Sequence, residues 1–214
     1  MTKIAIILLV SSAIICTSAQ DKKTGQHMQH FGTGVSLKSV KERLQVQPLP
    51  VPGFDVNMWL GQWFHQFQKA PCSWAIAEDF TDYIQLMLRK GNILIGHESI
   101  RNRNVCNTMT SLNTVTGTGR FYGKDLIGDN WSGKVNIVAT DYIGYSIDWG
   151  CTKWSTLDQT CADPWLYVKT RQMKLSKDVL ERIESALQNI FGISINELKR
   201  IPNERPCPIG TKHG

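Results

Sequence analysis

This 214-residue chain has few cysteines, few apolar runs and no concentration of charge. None of its six cysteines stands in a Cys-x-x-Cys pair, which excludes a zinc ribbon and a dithiol redox motif. No stretch beyond the amino terminus is long and apolar enough to cross a bilayer as a helix. The net charge is +6 and the pI about 9.0. That surplus is scattered through IRNRN, GTGRF and ELKRIPNERP, with no dense basic stripe. Nucleic acid is therefore excluded as a partner, while weak contact with an acidic glycan or a lipid surface stays open. His27 and His30 have a spacing that a helix could use for a metal, but they lie in the polar run QDKKTGQHMQHFGTG. That run reads as a solvated tail, so neither a metal nor a cofactor is expected.

What is present begins with an export signal. Lys3 supplies the positive start and IAIILLVSSAIIC an apolar core too short to span a membrane. Thr17 and Ala19 are the small residues ahead of a cut before Gln20. Residues 1–19 are expected to be removed and the mature protein to be secreted and extracellular. Residues 20–53 read as a flexible leader, with a short amphipathic piece, LKSVKERLQ, followed by the extended VQPLPVPG. One domain is expected over residues 54–207, with a tail at 208–214. Cys16 leaves with the signal, and five cysteines remain in a compartment where thiols pair. One of them is left over, either as a buried thiol or as a disulfide to a partner chain.

From Gly61 onward the pattern has period two. Eight short strands follow: GQWFHQFQK, FTDYIQLML, ILIGHESIR, VCNTMTSLNTV, GTGRFYGKDL, KVNIVATD, YIGYSIDWGC and PWLYVKTR. Short links between neighbours favour an up-and-down antiparallel arrangement, and closure removes the exposed edges. The expected class is thus all-β, an eight-stranded barrel with one helix packed on its wall. That helix is SKDVLERIESALQNIFG, with Ser176 as N-cap, Val179, Ile183 and Leu187 on its apolar face, and Gly192 as its stop. Ser194 and Glu197 form a capping box for a second, shorter helix.

Three segments, in this order, resemble a known family. Gly61-Gln62-Trp63 is similar to the lipocalin GxW signature, and Thr140-Asp141-Tyr142 to that family's TDY motif. Arg171 matches the basic residue that closes its last strand. FDVNMWLGQWFHQFQKAP and ATDYIGYSIDWGC look most like the apolipoprotein D and bilin-binding branch. The resemblance implies a barrel plugged at one end and wide enough for one small ligand. In that frame Trp63 is the plug, Arg171 stacks on its indole face, and Gly61 permits the close approach. Trp59 is expected to cover the outer side of the closed end.

Parity then supplies the expected cavity wall. His65 and Phe67 come from the first strand, Ile84, Leu86 and Leu88 from the second, Val135 and Ile137 from the sixth. The seventh offers Tyr145, Ile147 and Trp149, and the eighth Trp165 and Tyr167. Such a wall suits a hydrophobic small molecule bearing a hydroxyl, carbonyl or carboxylate. The loop APCSWAIA lies where the family carries its lid, and Trp74 and Ile76 either tuck into the barrel or dip into the mouth or a lipid surface.

The resemblance also implies that Cys207 staples the segment after the helix to the barrel, through Cys106 or through Cys72. Cys151 and Cys161 flank the last hairpin and can pair with each other. The set preferred here is Cys151–Cys161 with Cys106–Cys207, leaving Cys72 over. The sequon Asn130-Trp131-Ser132 marks Asn130 for a glycan. The catalytic type in this family uses a cavity cysteine; the first two strands have none, so no enzyme activity is expected. The expected function is a secreted carrier of a lipid, fatty acid, sterol, retinoid-like compound or pigment. The alternative is a matrix or partner-binding protein whose cavity is vestigial.

Overall fold

The alternation that marks the strands places them, in a computed structural model that describes residues 38–71, 80–126 and 131–209, within a residue or a few of the expected spans. β1 (Gly61–Lys69), β2 (Phe80–Lys90), β3 (Ile93–Asn102) and β4 (Val105–Gly117) are followed by β5 (Arg120–Asp125) and β6 (Ser132–Thr140). β7 (Tyr145–Cys151) and β8 (Pro164–Thr170) complete the eight. Each strand pairs antiparallel with the next, and β8 returns to β1, so the sheet closes as an up-and-down barrel. The β1–β2 pairing is short, joining Gly61–Phe64 to Ile84–Met87. Farther along β1, Phe67 and Gln68 pair instead with the two-residue β9 (Lys199–Arg200).

Among the described residues three α-helices lie outside the sheet. α1 (Val40–Leu44) and α2 (Val56–Trp59) precede β1, and α3 (Lys177–Phe191) follows β8. α3 starts where Ser176 accepts a hydrogen bond from the Val179 amide and stops at Gly192. Its buried Ile183, Leu187 and Phe191 pack with Phe67, Ile147 and Val168 from the outer face of the wall. Each such burial contributes about 1.5–3 kcal/mol, which is why a helix with one apolar stripe settles there.

The end of the segment expected to be a flexible leader is instead held against the barrel from Lys38 to Gly53. Ser39 and Glu42 cap α1 reciprocally, and Leu44 is fully buried. The Trp149 indole donates to the Leu44 carbonyl at 2.8 Å, the Cys161 amide to Gln45 at 2.8 Å, and the Val51 amide to Ile137 at 2.8 Å. Pro48, Pro50 and Pro52 fix φ along the segment that follows, and the Pro48 carbonyl accepts from the Asn136 side chain at 2.8 Å.

After α3 a second strap crosses the other side. The 3₁₀ turn Ile195–Glu197 has its capping box, as expected from Ser194 and Glu197. The Asp82 carboxylate then accepts the Glu204 and Arg205 amides, both at 2.7 Å. Cys207 bonds to Cys106, and Cys151 to Cys161, the preferred pairing. Cys72, Trp74 and Ile76 of the expected lid, Asn130 and the expected signal at residues 1–19 lie outside the described residues.

Candidate ligand cavity

One end of the barrel is sealed by the residues at the start of β1. Trp63 is fully buried there, and its indole donates to the Trp59 carbonyl at 2.9 Å. The Arg171 guanidinium stacks on that indole, 3.7 Å from the ring centroid. Its nitrogens also donate to the carbonyls of Tyr142 (2.9 Å), Gln62 (2.9 Å) and Met58 (3.0 Å). Gly61 has φ +98°, and a Cβ there would meet Arg171 Nη1 at 3.3 Å, so the position favours glycine on both counts.

The TDY loop braces the same end. Thr140 accepts the Tyr142 amide at 2.9 Å, while Asp141 accepts the amides of Gly144 and Tyr145 at 2.7 and 2.9 Å. Asp141 also pairs with Arg182 of α3, and the Tyr142 hydroxyl accepts the Asp55 amide at 2.9 Å.

Above this floor lies a cavity of about 500 Å³. One wall is aromatic and is shared by β1, β2 and β8. His65 lies flat on Tyr83, with ring centroids 3.7 Å apart and planes within 7°. Tyr167 meets His65 edge-on at 4.7 Å, and Trp165 follows at 5.1 Å from Tyr167. Phe80 continues the wall toward the mouth, 5.5 Å from Tyr83.

A buried polar network crosses the rest. Lys169, 1% exposed, forms an ion pair with Asp148 and donates to Gln85 at 2.8 Å. Gln85 and Ser111 donate to Glu98 at 2.9 and 3.2 Å, and the Tyr83 hydroxyl donates to the same carboxylate. Trp59 donates to Ser146 at 2.9 Å, and Ser146 to Asp148 at 2.6 Å. Burial shifts Glu98, Lys169 and His65 toward their neutral forms. The Glu98 carboxyl is raised by desolvation, against the hydrogen bonds and the Lys169 charge that favour its anion. Lys169 is lowered by desolvation, against the pull of Asp148. His65 is held well below the ordinary histidine range, first by burial and then by Lys169, and so is neutral near pH 7.

Several buried polar atoms on the aromatic wall make no hydrogen bond within the described protein. They are both ring nitrogens of His65, the Trp165 indole nitrogen and the Tyr167 hydroxyl.

No family model and no curated protein matches the sequence. Solved structures do match. Insecticyanin from the tobacco hornworm aligns over 75% of this chain and 85% of its own, with a TM-score of 0.60 at 16% identity. Lobster apocrustacyanin A1 aligns over 71% and 81%, with a TM-score of 0.57 at 12% identity. A biogenic amine-binding protein aligns over 72% and 83%, with a TM-score of 0.55 at 16% identity. This chain has the lipocalin fold. At such identities the likeness speaks for the fold alone.

Within the lipocalin barrel the expected wall is brought together only in part. His65, Val135, Trp165 and Tyr167 line the cavity. Ile137 is fully buried among the closed-end aromatics and does not reach the lumen. The orientation expected for β7 is corrected: Tyr145, Ile147 and Trp149 pack outward with α3, and Asp148 faces the cavity. β7 is buried on both faces, and its apolar face packs in the cluster that includes α3.

Phe67 is corrected for another reason, since a bulge between His65 and Phe67 turns it outward to the helix-side core. On β2 the inward set is Tyr83, Gln85 and Met87. Ile84, Leu86 and Leu88 lie outside the lining, and Leu88 is 44% exposed. Trp59, expected on the outer side, is 3% exposed and lines the cavity floor under the Lys169 ammonium, 4.5 Å from its ring. Lys169, Asp148, Glu98 and Tyr83 were not among the expected site residues. Lys169 shares the parity of Trp165, Tyr167 and Arg171, so a signal for it was present; nothing local marks the others.

Proposed function

We propose that the chain is a secreted carrier that holds one small hydrophobic molecule in the barrel. The observation that carries this reading is the set of unpartnered polar atoms on the aromatic wall of the barrel cavity. A core packed for stability alone satisfies nearly all of its buried polar groups, whereas a binding site keeps a few for its ligand. Burial of ligand surface, at about 25 cal/mol per Å², supplies most of the affinity. Secretion is supported by the signal-like residues 1–19 and by two intrachain disulfides. A glycan at Asn130 and a lid role for Trp74 and Ile76 belong to the same reading. The biogenic amine-binding protein is named for a small-molecule ligand, which agrees with a carrier role on this fold.

Native mass spectrometry of freshly purified secreted protein tests the reading, alongside a titration of tryptophan emission with sterols, retinoids, fatty acids and tetrapyrroles. Copurified ligand, or a saturable change in the emission of Trp59 and Trp165, is the expected result. An empty barrel that responds to no member of the panel overturns it.

A further inference from the structure

The carrier reading leaves the chemistry of the ligand open; resting on that reading, we infer that the cavity selects an uncharged ring compound bearing a hydrogen-bond acceptor, and that it rejects carboxylates. The ring follows from the wall. His65 is stacked on Tyr83, Tyr167 stands at 85° to Tyr83, and Trp165 is tilted 50° from Tyr167. An apolar ring can meet such a wall face-on to one side chain and edge-on to the next.

The acceptor follows from the atoms left without partners. The Trp165 indole nitrogen can only donate, and the Tyr167 hydroxyl can donate as well as accept. Neutral His65 adds one donor and one acceptor, both unused. These three side chains are 2 to 5% exposed, so bulk water is a poor substitute for a partner. A ligand oxygen placed between Trp165 and Tyr167 meets that demand.

Charge selection follows from what the network has already used. Lys169 is the one cationic side chain among the described lining residues, and its ammonium is held by Asp148 and Gln85. An incoming carboxylate would be stripped of water without a free cation, close to Glu98 and Asp125, which also line the cavity. An incoming ammonium finds the carboxylates engaged, with Asp148 held by Lys169. The Glu98 carboxylate already accepts from Tyr83, Gln85 and Ser111.

The test uses one flat skeleton with four heads: pyrene, pyrene-1-carboxaldehyde, pyrene-1-carboxylate and pyrenemethylammonium, titrated into the full mature chain near neutral pH. The aldehyde is expected to bind about tenfold tighter than pyrene, and the carboxylate about tenfold weaker than pyrene. Trp165→Phe with Tyr167→Phe removes both donors and should shrink the aldehyde-to-pyrene affinity ratio from about tenfold to about one, whatever happens to pyrene itself. If the double variant loses pyrene, Tyr167→Phe alone, which removes one oxygen, must still narrow the gap. A carboxylate or ammonium that binds as tightly as the aldehyde overturns the inference, as does an aldehyde advantage that survives the variants. If no pyrene binds but a copurified ligand is found, this inference falls and the carrier reading stands. If neither binds, both fall.

Discussion

Arg171 and Trp63 are stacked with 3.7 Å between guanidinium carbon and ring centroid, and the same guanidinium reaches the carbonyls of Met58, Gln62 and Tyr142. One side chain thus joins α2, β1 and the loop after β6. Lysine keeps the charge but cannot span those carbonyls with a planar fork. Arg171→Lys is expected to cost roughly 2–3 kcal/mol, from one cation–π contact and two or more lost hydrogen bonds. Urea unfolding measures it, and a change under about 0.5 kcal/mol would show that the seal does not depend on the fork.

The ion pair between Lys169 and Asp148 lies in the cavity floor with both side chains nearly fully buried. Removing one partner leaves the other charged and unpaired in a low dielectric. Lys169→Met or Asp148→Leu alone should cost about 3–5 kcal/mol, while the double variant should recover most of it. A double variant as unstable as the sum of the singles argues that the pair is not the coupling unit.

His65 makes stability depend on pH. Its folded-state value lies below the ordinary histidine range, chiefly through burial, so on acidification the unfolded chain takes up a proton that the folded chain does not. Stability from this residue is full above about pH 6.5 and falls as pH drops through that value, by up to about 1.4 kcal/mol per pH unit. His65→Phe keeps a ring on Tyr83 and should flatten the slope between about pH 7 and 5.5. Equal slopes in the two proteins would rule the attribution out.

Gly150 sets the position of Trp165. A Cβ at Gly150 would lie 2.0 Å from two atoms of the Trp165 indole, a rigid plate that must move as a whole. Gly150→Ala is expected to cost about 1–3 kcal/mol, change the near-ultraviolet circular dichroism and weaken ligand binding. Unchanged dichroism with unchanged affinity would show that the indole has room to spare.

The two disulfides close loops of different length, with sequence separations of 101 for Cys106–Cys207 and 10 for Cys151–Cys161. Chain entropy then assigns about 4.7 kcal/mol to the longer and about 2.7 kcal/mol to the shorter. Cys207→Ser should lower stability more than Cys161→Ser does. The reverse order would place the stabilisation in native contacts of the last hairpin.

The closed end was readable from residues in sequence because its parts are local. Gly61 and Trp63 lie two residues apart at the start of β1, and Thr140, Asp141 and Tyr142 bond within their own loop. The α3 caps at Ser176 and Gly192 are set by their nearest neighbours as well. The cavity wall was readable only where a strand has one obvious inner face, as β8 does with Trp165 and Tyr167. The Glu98, Lys169 and Asp148 network was hidden, since it joins β3, β7 and β8 across the lumen.

By itself the sequence determined the number and order of strands, the barrel, the plug and its basic cap, and the helix with its stops. The strands and the helix depend on alternation, capping and turn chemistry over a few residues, whereas the plug and its cap were legible through the likeness of Gly61, Trp63 and Arg171 to the lipocalin motifs. Only the tertiary structure decided which side of β2 and β7 faces the ligand space and which segments strap the barrel from outside. A period-two pattern looks alike from either side. When both faces of a strand are covered, or a bulge such as that between His65 and Phe67 shifts the count, the inner face is chosen by what packs against it.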